Sequence, residues 1–362
     1  MSLLPTVSRR TGTRYGRPSI ESQVLYNACR WMLRPVVGIA PLTPGAMRRA
    51  AVLDSAAGVR IPSGIDREAI RFPGFDGELV RTAGSTADLR DGVVLYLHGG
   101  GFMCCGLNTH RPVVASIAKR TGLPVLHIAY RQLPSTSISG SVDDCLDAYR
   151  WLLEQGALPE KVVFVGDSAG GFLVFATALA AVSAGLEVPA GLVGLSPLLD
   201  LDCTTKSVHA NARRDVIAPV SALMAIGKLG GQTNSPVDGD LAALPPSLLI
   251  AAESEVLRVD SEVMAQRLAA AGVPCSLQIW NGQVHAFPAV WPGLPESRAA
   301  LRDVARFIRT RLDAVPPQAR CGPTPGCGRK LFGKLNFRFA YGFSCAAGFS
   351  CPDVAVDAIA RA

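Results

Sequence analysis

The 362-residue chain lacks a hydrophobic run of about 20 residues, the length needed to cross a membrane. Its most apolar stretch, Phe172–Ala184, is too short for a span. Residues Met1–Arg14 also lack the apolar core of a secretory signal. We therefore expect a cytoplasmic protein without a transmembrane segment, while peripheral contact with lipid and association with the cell envelope stay open.

Dense charge is also scarce, since Asp, Glu, Lys and Arg make up only 18% of the residues. The net charge is +7, but the basic residues are scattered and often lie beside acids. This pattern excludes the dense basic arm of a nucleic-acid-binding protein, and we expect no nucleic-acid partner. A hydrophobic content of 49% instead indicates a globular protein with a sizeable core, which could form a homo-oligomer.

Motifs for nucleotides and metals are missing. The chain has neither a G-x-G-x-x-G fingerprint nor a glycine-rich loop that ends in Lys-Ser or Lys-Thr. Four of its ten cysteines crowd the tail, with five residues inside each pair, whereas zinc ribbons favour two to four. We therefore predict no cofactor and no metal; disulfides or free thiols are the alternatives for Cys321, Cys327, Cys345 and Cys351.

Short apolar runs alternate with helical patterns through most of the chain. Such alternation is typical of an α/β protein, in which a mostly parallel sheet is covered by helices on both faces. An earlier pair of runs around Asp76-Gly77 predicts an antiparallel hairpin. The expected buried strands are Val93–Leu97, Val125–Tyr130, Val162–Val165, Leu192–Leu195, Ser247–Ala252 and Ser276–Trp280.

Changes in composition divide the chain into four parts. Residues 1–19 are predicted to be flexible, and residues 20–60 to form a helical segment interrupted at Pro35, Pro41 and Pro44. That segment precedes the sheet, so it is either a cap over a site or a helix packed on the surface. Residues 61–315 form the α/β domain, and the Cys-, Gly- and Pro-rich tail 316–362 is expected to be poorly ordered.

The segment Gly166-Asp-Ser-Ala-Gly170 joins an apolar strand to a long helix. Small residues on either side of Ser168 allow a tight turn that lifts its hydroxyl to the end of the sheet. This geometry favours a nucleophilic serine. The alternative is that Ser168 only caps the helix.

A serine nucleophile needs a base, and the base needs a carboxylate that orients it. His285, which follows the last predicted strand, is the candidate base. The carboxylate comes from Glu255 or Asp260, which both follow the strand before it. We favour Glu255, because Asp260 has the position of a helix N-cap, but Asp260 stays open as the acid.

His98-Gly-Gly-Gly101, at the end of a predicted strand, offers backbone N–H groups that no side chain obstructs. Such donors stabilise a developing oxyanion. Gly100 and Gly101 are the candidate donors, together with Ala169, the residue after the serine. The order serine, acid, histidine is that of α/β-hydrolases.

Together, His98–Gly101 and Gly166–Gly170 resemble the His-Gly-Gly-Gly and Gly-Asp-Ser-Ala-Gly motifs of the hormone-sensitive-lipase-like family, the bacterial carboxylesterases and lipases with the α/β-hydrolase fold. Residues 130–134 and 195–200 are also similar to motifs of that family. In the family an Asp usually serves as the acid, and its position corresponds to Glu255; Asp167 would hold the turn.

The resemblance implies a serine esterase that acts on short- to medium-chain acyl esters, with the segment 20–60 as a cap that shapes the acyl pocket. The sequence does not separate this function from an amidase or formamidase with the same residues. A non-catalytic ligand-binding protein with this fold is the alternative from another class.

Overall fold

The computed structural model describes residues 6–10, 17–39, 43–56 and 61–314. The predicted tail, 316–362, and the predicted break at Pro41 lie outside these residues. Among the helices that the structure describes, none is both long and apolar enough to span a membrane.

Within the described residues, nine strands form one sheet: β1 Thr6–Arg10, β2 Ile65–Phe72, β3 Phe75–Thr82, β4 Val93–Leu97, β5 Val125–Ala129, β6 Val162–Asp167, β7 Gly191–Leu195, β8 Ser247–Ala252 and β9 Cys275–Trp280. All neighbouring strands are parallel except β2 with β3 and β3 with β5. The predicted antiparallel hairpin is present as β2 and β3, but its turn lies at Pro73 and Gly74, because Asp76 and Gly77 are paired within β3. Across the sheet the strands lie in the order β1-β9-β8-β7-β6-β4-β5-β3-β2.

Helices pack on both faces of this sheet. Alternate residues of β4 belong to two different clusters of buried apolar side chains, because successive side chains of a strand point to opposite faces. The fold is therefore the mostly parallel sheet between two layers of helices that the sequence predicts. The helices are α1 Ile20–Ala28, α2 Arg34–Ile39, α3 Pro44–Ala56, α4 Leu107–Thr121, α5 Ile138–Glu154, α6 Ala169–Ser183, α7 Thr204–Val208, α8 Val220–Leu229, α9 Arg258–Ala270, α10 Phe287–Val290 and α11 Pro295–Asp313.

The N-terminal region differs from the prediction in two places. Thr6–Arg10, expected to lack regular structure, pairs in parallel with the open edge of β9. Pro35 does not break the helical segment: a π-helical turn, Cys29–Leu33, joins α1 to α2. A wider turn relieves the clash between a proline ring and the carbonyl one turn earlier, and it tolerates the missing N–H.

Candidate active site

Ser168 occupies a sharp turn between β6 and α6. Its φ of 51° and ψ of −119° lie outside the usual regions for a residue with a side chain. The turn requires its flanking glycines, since a Cβ on Gly170 would lie 2.0 Å from the carbonyl oxygen of Leu97. Ser168 has the position of an N-cap, but its side chain makes no capping hydrogen bond. The hydroxyl is therefore free to act elsewhere.

The Ser168 hydroxyl begins a series of hydrogen bonds to a histidine and a carboxylate, which lie in the loops after two other strands. Its Oγ lies 2.9 Å from Nε2 of His285, in the loop after β9. Nδ1 of His285 lies 2.8 Å from Oε2 of Glu255, in the loop after β8. The other carboxylate oxygen of Glu255 accepts the N–H of Ala252 at 2.9 Å, which fixes the orientation of the carboxylate.

Burial and the hydrogen bond between Glu255 and His285 act against each other in setting the pKa of each group. Burial lowers the pKa of His285, but the hydrogen bond and the charge of Glu255 offset this effect and hold that pKa above its usual value. Burial raises the pKa of Glu255, and the hydrogen bond from His285 limits that rise. The imidazole is thus placed to take a proton from Ser168 and to hold it beside a carboxylate.

Asp260 lies apart from this chain of hydrogen bonds. Its carboxylate accepts the N–H groups of Leu199 and Asp200 at 2.9 and 3.0 Å. It also pairs with Nζ of Lys206. Burial raises the pKa of Asp260 to about 6, although these partners lower it. The N-cap prediction for Asp260 is wrong: α9 begins at Arg258, with Leu257 at the N-cap position, so Asp260 lies within its first turn.

The glycine loop after β4 adopts backbone conformations that favour glycine. Gly100 and Gly101 have φ values of 116° and 63°, and a Cβ on Gly100 would lie 2.0 Å from the carbonyl oxygen of Cys104. Their N–H groups make no hydrogen bond to any residue that the structure describes. Ala169 is the first residue of α6, where an N–H has no partner within the helix.

Asp167 holds the serine turn against the glycine loop, as the resemblance implies. Its Oδ1 accepts the hydroxyl of Tyr96 at 2.8 Å and the N–H of Gly99 at 3.1 Å. Its Oδ2 lies 3.3 Å from Nε2 of His110. Burial raises the pKa of Asp167, but His110 and the other partners hold it below its usual value. The carboxylate therefore ties together the ends of two neighbouring strands.

Sequence reasoning missed two side chains that hold the Glu255 loop. Asn211 donates to the carbonyl oxygens of Glu253 and Glu255 at 2.8 and 2.9 Å. Asp215 accepts the N–H of Val256 at 2.8 Å. Both lie in an irregular stretch before α8, where neither periodicity nor a motif marks a role for a single polar side chain.

The first helix is attached beside the His285 loop. The hydroxyl of Ser22 lies 3.1 Å from Oε1 of Gln283 and 2.9 Å from a carboxylate oxygen of Glu296. The backbone N–H and the hydroxyl of Ser19 also donate to Glu296. The beginning of segment 20–60 is thus fixed close to the site. This attachment is compatible with both predicted roles of the segment, a cap over the site and a helix packed on the surface.

Among the described residues, no group of three or more His, Cys, Asp or Glu side chains is arranged to hold a metal ion. The four tail cysteines lie outside that range.

Comparisons with known proteins all point to one family. A model of the alpha/beta hydrolase fold matches residues 94–289. The esterase LipU of Mycobacterium tuberculosis is 39% identical over 76% of this chain and 98% of its own length. The carboxylesterase/phospholipase LipF of the same organism is 36% identical over 81% of this chain and 82% of its own. A crystal structure of an esterase from the bacterial hormone-sensitive lipase family is 31% identical, with a TM-score of 0.73 over 81% of this chain and 99% of that one.

Proposed function

Because this chain belongs to the hormone-sensitive-lipase family of α/β-hydrolases and is a carboxylic ester hydrolase, we propose that Ser168, His285 and Glu255 are its catalytic triad. The observation that carries this proposal is the unbroken series of hydrogen bonds from Ser168 Oγ to His285 and on to Glu255, at 2.9 and 2.8 Å. Nucleophile, base and orienting acid are thereby in the relative positions that acyl transfer requires.

The reaction proceeds in two stages. Ser168 Oγ attacks the ester carbonyl carbon while its proton passes to Nε2 of His285. The ester C–O bond then breaks, and His285 returns that proton to the leaving alcohol. In the second stage water attacks the acyl carbon and loses a proton to His285; the bond between that carbon and Ser168 Oγ then breaks, His285 returns the proton to Oγ, and the acid is released. Glu255 keeps Nδ1 protonated and stabilises the positive imidazolium in both stages.

The negative charge on the carbonyl oxygen is stabilised by the N–H groups of Gly100, Gly101 and Ala169. Fixed donors of this kind contribute about 10²–10³ in rate each, because they need no reorientation as the charge develops. The uncommitted N–H groups of Gly100 and Gly101 support this role.

We propose that the substrates are esters with short to medium acyl chains and that residues 20–60 cap the acyl pocket. Met47 of α3 supports this function, because it is buried and lines a cavity together with Leu133 and with Leu229 of α8. Ile226 of α8 is buried too and lies next to Gly101. Apolar side chains of this kind suit an acyl chain rather than a charged group.

A cytoplasmic location is part of the proposal. It is supported by the cysteines that the structure describes, all of which are free thiols. Free buried thiols such as Cys145, Cys203 and Cys275 suit a reducing compartment.

The triad is tested with the purified full-length chain on p-nitrophenyl esters from acetate to palmitate. We expect turnover that is greatest for short and medium chains and that falls about 10⁵–10⁶-fold in Ser168→Ala. Ser183→Ala, at the far end of the same helix, is the matched control and keeps wild-type turnover. Undiminished hydrolysis by Ser168→Ala would refute the proposal.

A further inference from the structure

Two adjacent cysteines, Cys104 and Cys105, follow directly after the glycine loop. Their sulfur atoms lie 3.8 Å apart, and both side chains are partly accessible to solvent. The other four cysteines that the structure describes are buried. The proposed mechanism gives these two thiols no function.

Cys104 is built into the turn that carries the proposed oxyanion donor. Its thiol donates to the carbonyl oxygen of Gly100 at 3.1 Å, and the N–H groups of Met103 and Cys104 donate to the same oxygen at 3.2 and 3.1 Å. Cys105 has a φ of 70°, and its carbonyl oxygen accepts the side-chain amide of Gln132 at 3.1 Å. Chemistry at these sulfurs therefore acts on the backbone of Gly100.

We propose that Cys104 and Cys105 form a thiol-modification site at which a hydroperoxide oxidises the pair to a disulfide that reversibly stops ester hydrolysis. The effect on hydrolysis rests on the proposed function of Gly100 as an oxyanion donor. The formation of the disulfide does not.

The oxidation balances with one hydroperoxide. The Cys104 thiolate attacks the peroxide oxygen, the O–O bond breaks, and the products are Cys104 sulfenic acid and water or an alcohol. The Cys105 sulfur then attacks the Cys104 sulfur, an S–S bond forms as the S–O bond breaks, and the departing hydroxide takes the Cys105 proton and leaves as water. The thiol of Cys105 donates a hydrogen bond to Cys104, which lowers the pKa of Cys104 and favours the reactive thiolate.

The disulfide disturbs the loop for two reasons. Cys104 loses the S–H that it donates to Gly100. Neighbouring Cα atoms are also about 3.8 Å apart, whereas most disulfides join Cα atoms at about 4.4–6.8 Å. Such a bond shifts the local backbone and is easily reduced, so thiols restore the enzyme.

The test uses the full-length chain with Cys321, Cys327, Cys345 and Cys351 replaced by serine, so that these four cysteines cannot react. After treatment with hydrogen peroxide we expect the peptide containing residues 104 and 105 to lose two hydrogen atoms in mass. Turnover of p-nitrophenyl butyrate falls in parallel by at least about tenfold, as expected for a misplaced oxyanion donor. Dithiothreitol reverses both changes.

A trivalent arsenical, phenylarsine oxide, gives a second test because it binds two neighbouring thiols. We expect it to inhibit the same chain, Cys105→Ser to resist it, and the matched control Cys203→Ser to be inhibited like the parent. Equal inhibition of Cys105→Ser, a missing disulfide, or a disulfide that leaves turnover unchanged would overturn the proposal. A failure of the triad proposal would appear separately, as activity of untreated Ser168→Ala.

Discussion

Lys206 and Asp260 form an ion pair in which Nζ lies 2.9 Å from Oδ1, and the two side chains are only 1% and 2% exposed. Lys206 also donates to the carbonyl oxygens of Asp200 and Asp202. The pair therefore joins α9 to the chain that follows β7. Asp260 is thus bound to Lys206, and the carboxylate that contacts His285 is that of Glu255.

The first prediction separates the two carboxylates. Asp260→Asn leaves Lys206 buried without its counter-charge, so we expect the free energy of unfolding in urea to fall by about 3–5 kcal/mol. Turnover of the folded fraction stays within a few-fold of wild type, because Asp260 does not contact His285. A large loss of turnover with unchanged stability would instead assign Asp260 to catalysis.

The second prediction concerns pH. His285 acts as a base only when it is unprotonated, so kcat/KM rises with pH around the pKa of His285. Because this pKa is raised, we expect the rise to occur above the usual histidine value of about 6.5. Glu255→Gln removes the charge that raises this pKa and leaves the burial that lowers it, so the rise moves to lower pH. We also expect kcat to fall about 10⁴-fold.

The control for this pH experiment is Glu253→Gln, two residues earlier in the same loop. Its side chain is 31% exposed and faces Arg214. We expect a wild-type pH profile. A rise that does not move in Glu255→Gln would mean that another group sets the pKa of the base.

The third prediction concerns the glycine loop. A Cβ on Gly100 would meet the carbonyl oxygen of Cys104 at 2.0 Å, so Gly100→Ala must displace the turn. We expect kcat to fall about 10²–10³-fold, as for the loss of one oxyanion donor. Gly122→Ala is the matched control: its φ is also positive, at 70°, but nothing lies near its Cβ position, and kcat should be unchanged. Equal kcat values for the two variants would remove Gly100 from the oxyanion site.

The fourth prediction concerns Asn211, which holds the Glu255 loop by its side-chain amide. Asn211→Ala frees two carbonyl oxygens and lets the carboxylate of Glu255 move, so kcat should fall about 10–10²-fold with little change in KM. The rising limb of the pH profile should move to lower pH as well, because the contact with His285 weakens. Asn27→Ala, on the exposed face of α1, is the control and should change neither. A loss of stability alone, without a shifted profile, would make Asn211 purely structural.

Much of the fold could be predicted from local sequence. Buried β-branched runs such as Val162–Val165 and the glycines around Ser168 carry strong signals, since each is sufficient to indicate a strand or a sharp turn. The meeting of Ser168, Glu255 and His285 follows from this order, because the ends of parallel strands converge at one edge of the sheet.

Other features depend on groups far away in the sequence. Thr6–Arg10 becomes a strand because β9 offers an open edge, and no local pattern shows that edge. Asp260 resembles an N-cap until Lys206, Leu199 and Asp200 are brought to it by the fold. Asn211 has no recognisable motif, since its role depends only on the carbonyl groups that it meets.

The carboxylate of Glu296 is fully buried, and its hydrogen bonds within the described residues come from Ser19 and Ser22. Ser19 and Ser22 thus replace the hydrogen bonds that water would otherwise donate to this carboxylate. Replacing Ser19 and Ser22 by alanine would remove the hydroxyl donors of this buried carboxylate, beside the loop that carries His285. Ser19 and Ser22 therefore help to hold the structure beside the His285 loop, although most of α1 is exposed.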